Sequence, residues 1–292
     1  MVADVAGNQV TELKRHSEVT RLGRGVDYTQ MLSDEAIDIV CDTVGEYVKE
    51  IADLGAEATL VIATSAVRDA SNGGAFVAEL RERFELECQV LNGEEEANLT
   101  YMGAISGRSG DENLLVVDIG GGSTEIVIGQ GRESTFHTSL QAGVVRHTER
   151  QLPSDPPSAS ELEDLSKDIN GLISEALTDL EAEHVDRAIG VAGTPSSLAA
   201  IDLELDPYDS AAVEGHVLNL GTIQNLMSRL SSMPLEERKQ ITGLHPDRAR
   251  AIVAGVVILT EVMRAFGLTQ IEVSEHDILY GGVITLAAGL SD

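Results

Sequence analysis

A chain of 292 residues and 31.0 kDa is long enough for a substantial core and two domains. Its 49 acidic against 20 basic side chains give a net charge of −29, which excludes a general nucleic-acid or anionic-membrane binder, and the 3% aromatic content supplies no stacking platform for single strands. Two cysteines, Cys41 and Cys88, are too few for a disulfide framework, no basic-then-apolar segment opens the chain, and the most apolar run, Ile252–Thr260, is too short for a bilayer. A soluble, cytoplasmic protein is expected.

Met1–Val5 is a short apolar stretch, Ala6-Gly7-Asn8 a turn, and Val10–Leu22 strand-like. Lys14, Arg15, Arg21 and Arg24 gather positive charge there, as on a solvated strand face. Ser33 then caps a helix that carries Ile37, Val40, Cys41, Val44, Tyr47, Val48, Ile51 and Leu54 on one face and stops at Gly55. Cys41 lies on that stripe and reads as core. Strand Thr59–Ala63, helix Ala75–Phe84 and strand Cys88–Leu91 form a parallel β-α-β unit, so loops Thr64–Asp69 and Asn92–Ala97 leave on the same sheet edge, where ligands bind. In the first loop, Arg68 is either a phosphate clamp or a local partner of Asp69. In the second, Glu94, Glu95 and Glu96 complement a helix dipole or supply a catalytic carboxylate.

The most informative stretch is Leu114–Gly129, LLVVDIGGGSTEIVIG. Two short β-branched runs flank three glycines, which is the pattern of a hairpin. Its glycines let backbone N–H groups crowd into an anion-binding nest, although ordinary tight hairpins share the pattern. No lysine follows the glycines, as a P-loop requires, and no helix follows, as a dinucleotide fingerprint requires. Asp118, at the end of the first strand, is placed to hold a cation or a water.

Thr138–Gln151 brings Arg146, His147 and Arg150 near a helix start, with His147 read as a surface residue. Pro153–Ser160 is a loop, Ser160 caps a helix with Leu162, Leu165, Ile169, Leu172, Ile173, Leu177 and Leu180 buried, and Ala188–Ala192 is a strand. Gly193-Thr194-Pro195-Ser196-Ser197 follows as a second glycine turn, which either approaches another phosphate or nucleotide or simply connects strand to helix. Val217–Leu220 resembles an edge strand with Thr222 as the next cap. Pro246 opens a helix to Phe266, Ile271–Ser274 is the last strand, and Glu275-His276-Asp277 leads into a glycine-marked helix. No G-x-S-x-G elbow accompanies the His276–Asp277 pair, and no CxxC or HExxH element indicates zinc.

Taken together, ATSAVRDA (63–70), NGEEEANLTYMGAI (92–105), VVDIGGGSTEIVIG (116–129), VAGTPSSLAAI (191–201) and VSEHDILYGG (273–282) resemble, in order, the motifs of the exopolyphosphatase/guanosine pentaphosphate phosphohydrolase (Ppx/GppA) family. The resemblance implies an α/β protein of the actin-like ATPase superfold, with duplicated ribonuclease H-like domains around a cleft. The expected domains are residues 1–112 and 113–280, with a last helix of about 281–292 packing back on the first domain.

By the same resemblance, Glu96 is the general base. Asp118 and Glu125 hold a divalent cation, Mg²⁺ or another, and help place the attacking water. Gly120, Gly121, Gly122 and Ser123 form the phosphate loop, Arg68 contacts phosphate, and Gly193 and Thr194 are further phosphate-binding candidates. The implied partners are inorganic polyphosphate and guanosine penta- or tetraphosphate, with no nucleic acid or membrane; the resemblance also allows a homodimer. Family members open with a first strand and a D-x-G-T-N-S loop, whereas this sequence starts at Met1-Val2-Ala3-Asp4-Val5, which resembles the end of a second strand. Two functions are therefore weighed: a metal-assisted exopolyphosphatase, with guanosine pentaphosphate hydrolysis as a related activity, and a polyphosphate- or alarmone-binding regulator with little turnover.

Overall fold

The computed structural model describes every residue except 8, 109–110, 179, 181–183 and 292, so the turn expected at Asn8 lies outside the described residues. An antiparallel hairpin, β1 (Val2–Ala6) with β2 (Gln9–Lys14), comes first. β2 ends well short of Leu22 because the chain turns Arg15 inward, where its guanidinium donates to Asp277 Oδ2 at 2.7 Å and to the Glu275 carbonyl at 2.8 Å. The expected solvated basic face thus holds for exposed Arg24 but not for Arg15.

The single turn α1 (Val26–Thr29) precedes α2 (Asp34–Asp53), which Ser33 caps by accepting the Ala36 N–H. Cys41 on its apolar stripe is fully buried. β3 (Val61–Ala63) is followed by α3 (Ser65–Asp69), α4 (Gly73–Phe84) and β4 (Cys88–Val90), and β3 pairs with β4 in parallel. The Thr64–Asp69 segment, expected as a loop, is helical because the Thr64 carbonyl accepts the Val67 and Arg68 amides. α5 (Gly93–Ala104) starts at a reciprocal Asn92–Glu95 capping box, a device that stabilises a helix start by about 1 kcal/mol.

The large sheet contains β5 (Asn113–Ile119), β6 (Thr124–Gln130), β7 (Glu133–Leu140), β8 (Arg187–Val191), β9 (Val217–Asn219) and β10 (Gln270–Val273), in the order β7-β6-β5-β8-β10-β9. β7 is a strand that the apolar pattern does not reveal, because it lies at the sheet edge and its residues are largely exposed. The helices that follow are α6 (Val144–Gln151), α7 (Ala159–Ala176), α8 (Gly193–Asp202), α9 (Ser210–Val213), α10 (Leu220–Ser232), α11 (Leu235–Arg238), α12 (Ile252–Ala265) and α13 (Ile278–Ser291), the last packing on α5. Three starts differ from expectation. Ser158, reciprocated by Glu161, caps α7 in place of Ser160, and Asn219 caps α10 by accepting the Thr222 N–H. Pro246 opens only a 3₁₀ turn ahead of α12.

Strand alternation gives the sheet two different faces. Leu115, Val117, Ile119, Ile126 and Ile128 enter the main core with residues of α7, α8, α10 and α12. Leu114, Val116, Val127, Ile189 and Val191 point the other way, against Ala97, Tyr101 and Ala104 of α5. By the same parity, Asp118 and Glu125 fall on the α5 face.

α13 crosses α5 at small residues. A Cβ at Gly103 would lie 1.9 Å from the Asp277 carbonyl oxygen, and one at Gly281 1.8 Å from that of Leu99. Gly281→Ala should therefore destabilise by about 3 kcal/mol or more through overpacking. Gly289→Ala, whose Cβ would meet nothing within 4 Å, should gain up to about 1 kcal/mol of helix propensity. Urea unfolding of both variants checks the pair, and equal midpoints would refute the close crossing.

Candidate active site

Where α5 lies over the C-terminal end of β5, three carboxylates are brought to one buried locality. Glu96 and Thr100 are one turn apart on α5, and the Thr100 hydroxyl donates to Asp118 Oδ2 at 3.3 Å. Asp118 stands directly opposite Glu125 across the β5–β6 ladder. Ser139, opposite Glu125 on β7, donates to Glu125 Oε1 at 2.8 Å, and the Ser123 side chain hydrogen-bonds the same carboxylate. Exposure is only 7% for Glu96, 7% for Asp118 and 1% for Glu125, unusual values for acids without a full set of cationic partners.

Arg68, expected either to clamp phosphate or to pair with Asp69, reaches chiefly towards α5. Its Nη1 donates to the Leu91 carbonyl at 2.6 Å and to Glu96 Oε2 at 3.3 Å, whereas Asp69 is 4.0 Å from Nε. Glu95 is used by the capping box, and Glu94 is exposed beside His137, so Glu96 alone of the three enters the site.

Burial pushes the Glu96 carboxyl above its ordinary range, opposed by hydrogen bonding and charge from Arg68. Burial, then the Glu96 charge, pushes Glu125 up to about 7. Asp118 is raised well above the usual range by burial and then by Glu125, Asp277 and Glu96. Mutual repulsion in a dry site is the physical reason, and a cation would relieve it.

The Gly120–Ser123 turn is held through its carbonyl groups. Gly120 N–H donates to the Ser123 carbonyl at 3.0 Å. The Gly120 carbonyl accepts from Val144 N–H, that of Gly121 from Val145 and Arg146 N–H, and that of Gly122 from Arg146 Nε at 2.8 Å. The amides of Gly121, Gly122 and Ser123 donate to no acceptor among the described residues, which leaves them available to an anion. Gly143 has no room for a side chain, since its Cβ would lie 2.3 Å from the Gly121 carbonyl oxygen. Arg146 is itself fixed by Asp27 and by Asp69, the latter at 2.8 Å. His147, expected at the surface, is fully buried beneath this turn with Nδ1 against the Gly143 backbone, and burial lowers its pKa.

The second glycine turn emerges beside the first because β8 runs parallel to β5, with Val191 opposite Asp118. Gly193 is the first residue of α8, and its carbonyl accepts from Arg248 Nη1 at 3.3 Å. Thr194, the other candidate in this turn, has its side chain turned towards α12. It is buried against α12, so close that a Cβ on Gly255 would lie 2.4 Å from Thr194 Oγ1. Sequence reasoning missed Thr100, Ser139, Arg146, Arg248 and the Arg15–Asp277 pair. Asp277 was traceable, since it follows β10, which runs parallel to β8 and ends on the same edge.

Among the described residues no three His, Cys, Asp or Glu side chains are grouped as metal ligands. Asp118 and Glu125 nevertheless fit a hard cation: both are oxygen donors raised by burial and then by neighbouring carboxylate charge, and Mg²⁺ commonly takes one or two carboxylates with water and substrate phosphate.

Comparison with known proteins gives a consistent result. The model of the Ppx/GppA phosphatase family matches residues 1–285. Exopolyphosphatase 2 of Mycobacterium tuberculosis is 33% identical over 98% of this chain and 94% of its own length. The guanosine-5'-triphosphate,3'-diphosphate pyrophosphatase of Photobacterium profundum is 30% identical over 92% of this chain and 52% of that protein. The crystal structure of the Aquifex aeolicus Ppx/GppA family member superposes with a TM-score of 0.83 at 27% identity, covering 99% of this chain and 94% of that one.

Between β8 and α8, Ala192 has φ 68° and ψ −166°, a backbone region that glycine occupies and other residues seldom do. Ala192→Gly should relieve that strain, with a net gain on the order of 1 kcal/mol after the entropy cost of glycine. Denaturant unfolding measures it, and a loss of stability would refute the strain.

Proposed function

The chain belongs to the Ppx/GppA phosphatase family and has the actin-like ATPase fold; from that premise we propose that it is a cytoplasmic exopolyphosphatase that releases inorganic phosphate from the ends of polyphosphate, with guanosine pentaphosphate hydrolysis as a related activity. The observation that carries this reading is the Glu96–Arg68 pair, set in the same buried locality as Asp118 and Glu125 beside an amide-lined glycine turn. Relatives named as hydrolases support turnover over binding alone. The cleft is assigned between residues 1–112 and 113–280, with α13 returning to the first unit.

The terminal phosphoryl group binds with its oxygens on the free amides of Gly121, Gly122 and Ser123 and on Arg68, whose planar fork matches phosphate. Glu96 accepts a proton from water as the water attacks phosphorus, and the bond to the bridging oxygen breaks to leave a chain shorter by one phosphate. Asp118 and Glu125 would hold the divalent cation, which would supply charge neutralisation for the phosphoryl oxygens. Thr100 and Ser139 keep those two carboxylates in place.

Phosphate release from long-chain polyphosphate in the presence of Mg²⁺ tests the assignment. Glu96→Gln should lower the rate by about 10²–10⁴-fold, and a folded parent protein that releases no phosphate would overturn hydrolysis in favour of the binding-protein reading. The pH profile supplies a second test. Glu96 works as a base only when deprotonated and burial raises its pKa, so the acid limb of kcat/KM should lie above the ordinary carboxylate range. Removing the positive charge that opposes this rise, in Arg68→Met, should move the limb to still higher pH. A limb that stays in place or moves to lower pH would contradict the pairing.

A further inference from the structure

Arg146 is the third residue of α6, and its guanidinium joins three separate segments of the chain. Nε donates to the Gly122 carbonyl at 2.8 Å, Nη1 to Asp27 of α1, and Nη2 to Asp69 of α3 at 2.8 Å. The side chain is 14% exposed, and each of its three nitrogens has an acceptor. Arg150, one turn further along α6, also donates to Asp27, so two arginines meet two aspartates and the cluster is balanced in charge.

The contact with the turn decides where the turn's amides point. In a trans peptide the carbonyl and the N–H of the next residue lie on opposite sides, so holding the Gly122 oxygen from behind turns the Ser123 N–H the other way. The Arg146 backbone does the same one peptide earlier: its N–H donates to the Gly121 oxygen at 3.2 Å and so orients the Gly122 N–H. The turn is also pressed against α3, since a Cβ on Gly122 would lie 2.7 Å from Ser65 Oγ. The contact with Asp69 acts on the residue before it. Arg68 Nη1 reaches Glu96 at 3.3 Å, while Asp69 Oδ1 is 4.0 Å from Arg68 Nε, beyond hydrogen-bond length. With Arg146 on its other oxygen, Asp69 is already paired. Without Arg146, a bare carboxylate would stand beside Arg68 and compete with Glu96 for it. We propose that Arg146 is a positioning residue: it sets the direction of the turn's amides and, by occupying Asp69, keeps Arg68 on Glu96. The proposal rests on the reading of these groups as the site of phosphoryl transfer. Lysine does not replace it, because three acceptors in different directions need the planar fork and not one point charge.

The test is a double-mutant cycle on the full chain, read as phosphate release from polyphosphate with Mg²⁺. Arg146→Met should lower kcat/KM by about 10²-fold, the scale of a misplaced reacting group. Asp69→Asn alone should stay within about threefold of the parent, as for a part-exposed ion pair. Added to Arg146→Met, it should restore about tenfold, because the competing charge is gone. Arg146→Lys, which keeps the charge and most of the bulk, should show the same recovery and keeps the cycle readable where the Met variant fails to fold. Losses that merely add, or a folded Arg146→Met protein with the parental kcat/KM, would overturn the proposal. A second readout needs no turnover. Titration with inorganic phosphate should shift the Gly122 and Ser123 amide signals of the ¹⁵N-labelled parent in a saturable way, and Arg146→Met should require about tenfold more phosphate. This arm also reads a parent that releases no phosphate, so failed hydrolysis is told apart from failed positioning. Equal titrations in the two proteins, or parent amides that phosphate leaves unmoved, count against Arg146 as the positioning residue.

Discussion

The structure depends on an unfavourable contact: Asp118 and Glu125 face each other across a buried antiparallel ladder, with Glu96 above them on α5. Like charges opposite one another destabilise a sheet, and burial removes the water that would screen them. Such an arrangement persists only if the elements carrying it are otherwise well held. β5 is paired on both sides, α5 is capped and packed on the sheet, and among the described residues the hydroxyls of Thr100, Ser139 and Ser123 attend the two strand carboxylates. The site is thus preorganised for positive charge.

The glycine turn offers the opposite chemistry, amide donors that suit an anion. Its carbonyl groups are consumed by the first residues of α6 and by Arg146, so the peptide planes turn their N–H groups to the other side. That division explains why Gly143 must lack a side chain: it packs against the Gly121–Gly122 peptide itself. Carboxylates for a cation and amides for an oxyanion then lie next to each other because the β5–β6 hairpin carries both, one at the strand ends and the other in the turn.

The two ends of the chain meet near this site. Arg15, just past the first hairpin, pairs with Asp277 at the start of α13, and α13 crosses α5 at Gly103 and Gly281 with almost no clearance. Burial raises Asp277 while Arg15 restrains the rise, and the Asp277 charge adds to the repulsion that raises Asp118. The helix bearing Glu96 is therefore located both by the sheet beneath it and by the final helix over it.

Much of this was legible in the residues. The hairpin, the parallel β3–β4 unit, the Ser33 cap and buried Cys41 follow from periodicity and turn chemistry, because each is set by neighbours within a few positions. β7 escaped because an exposed edge strand needs no apolar signature, and Pro246 misled because a proline at a helix start also suits a 3₁₀ turn. His147 was misplaced since flanking arginines describe the sequence around it and not the turn packed over it. By itself the sequence determined the local elements and the chemical types at the strand ends. Only the tertiary structure decided that Arg68 pairs with Glu96, that Thr194 turns into the body and that Asp277 joins the carboxylates, because burial and long-range charge arise only once distant segments exclude water together.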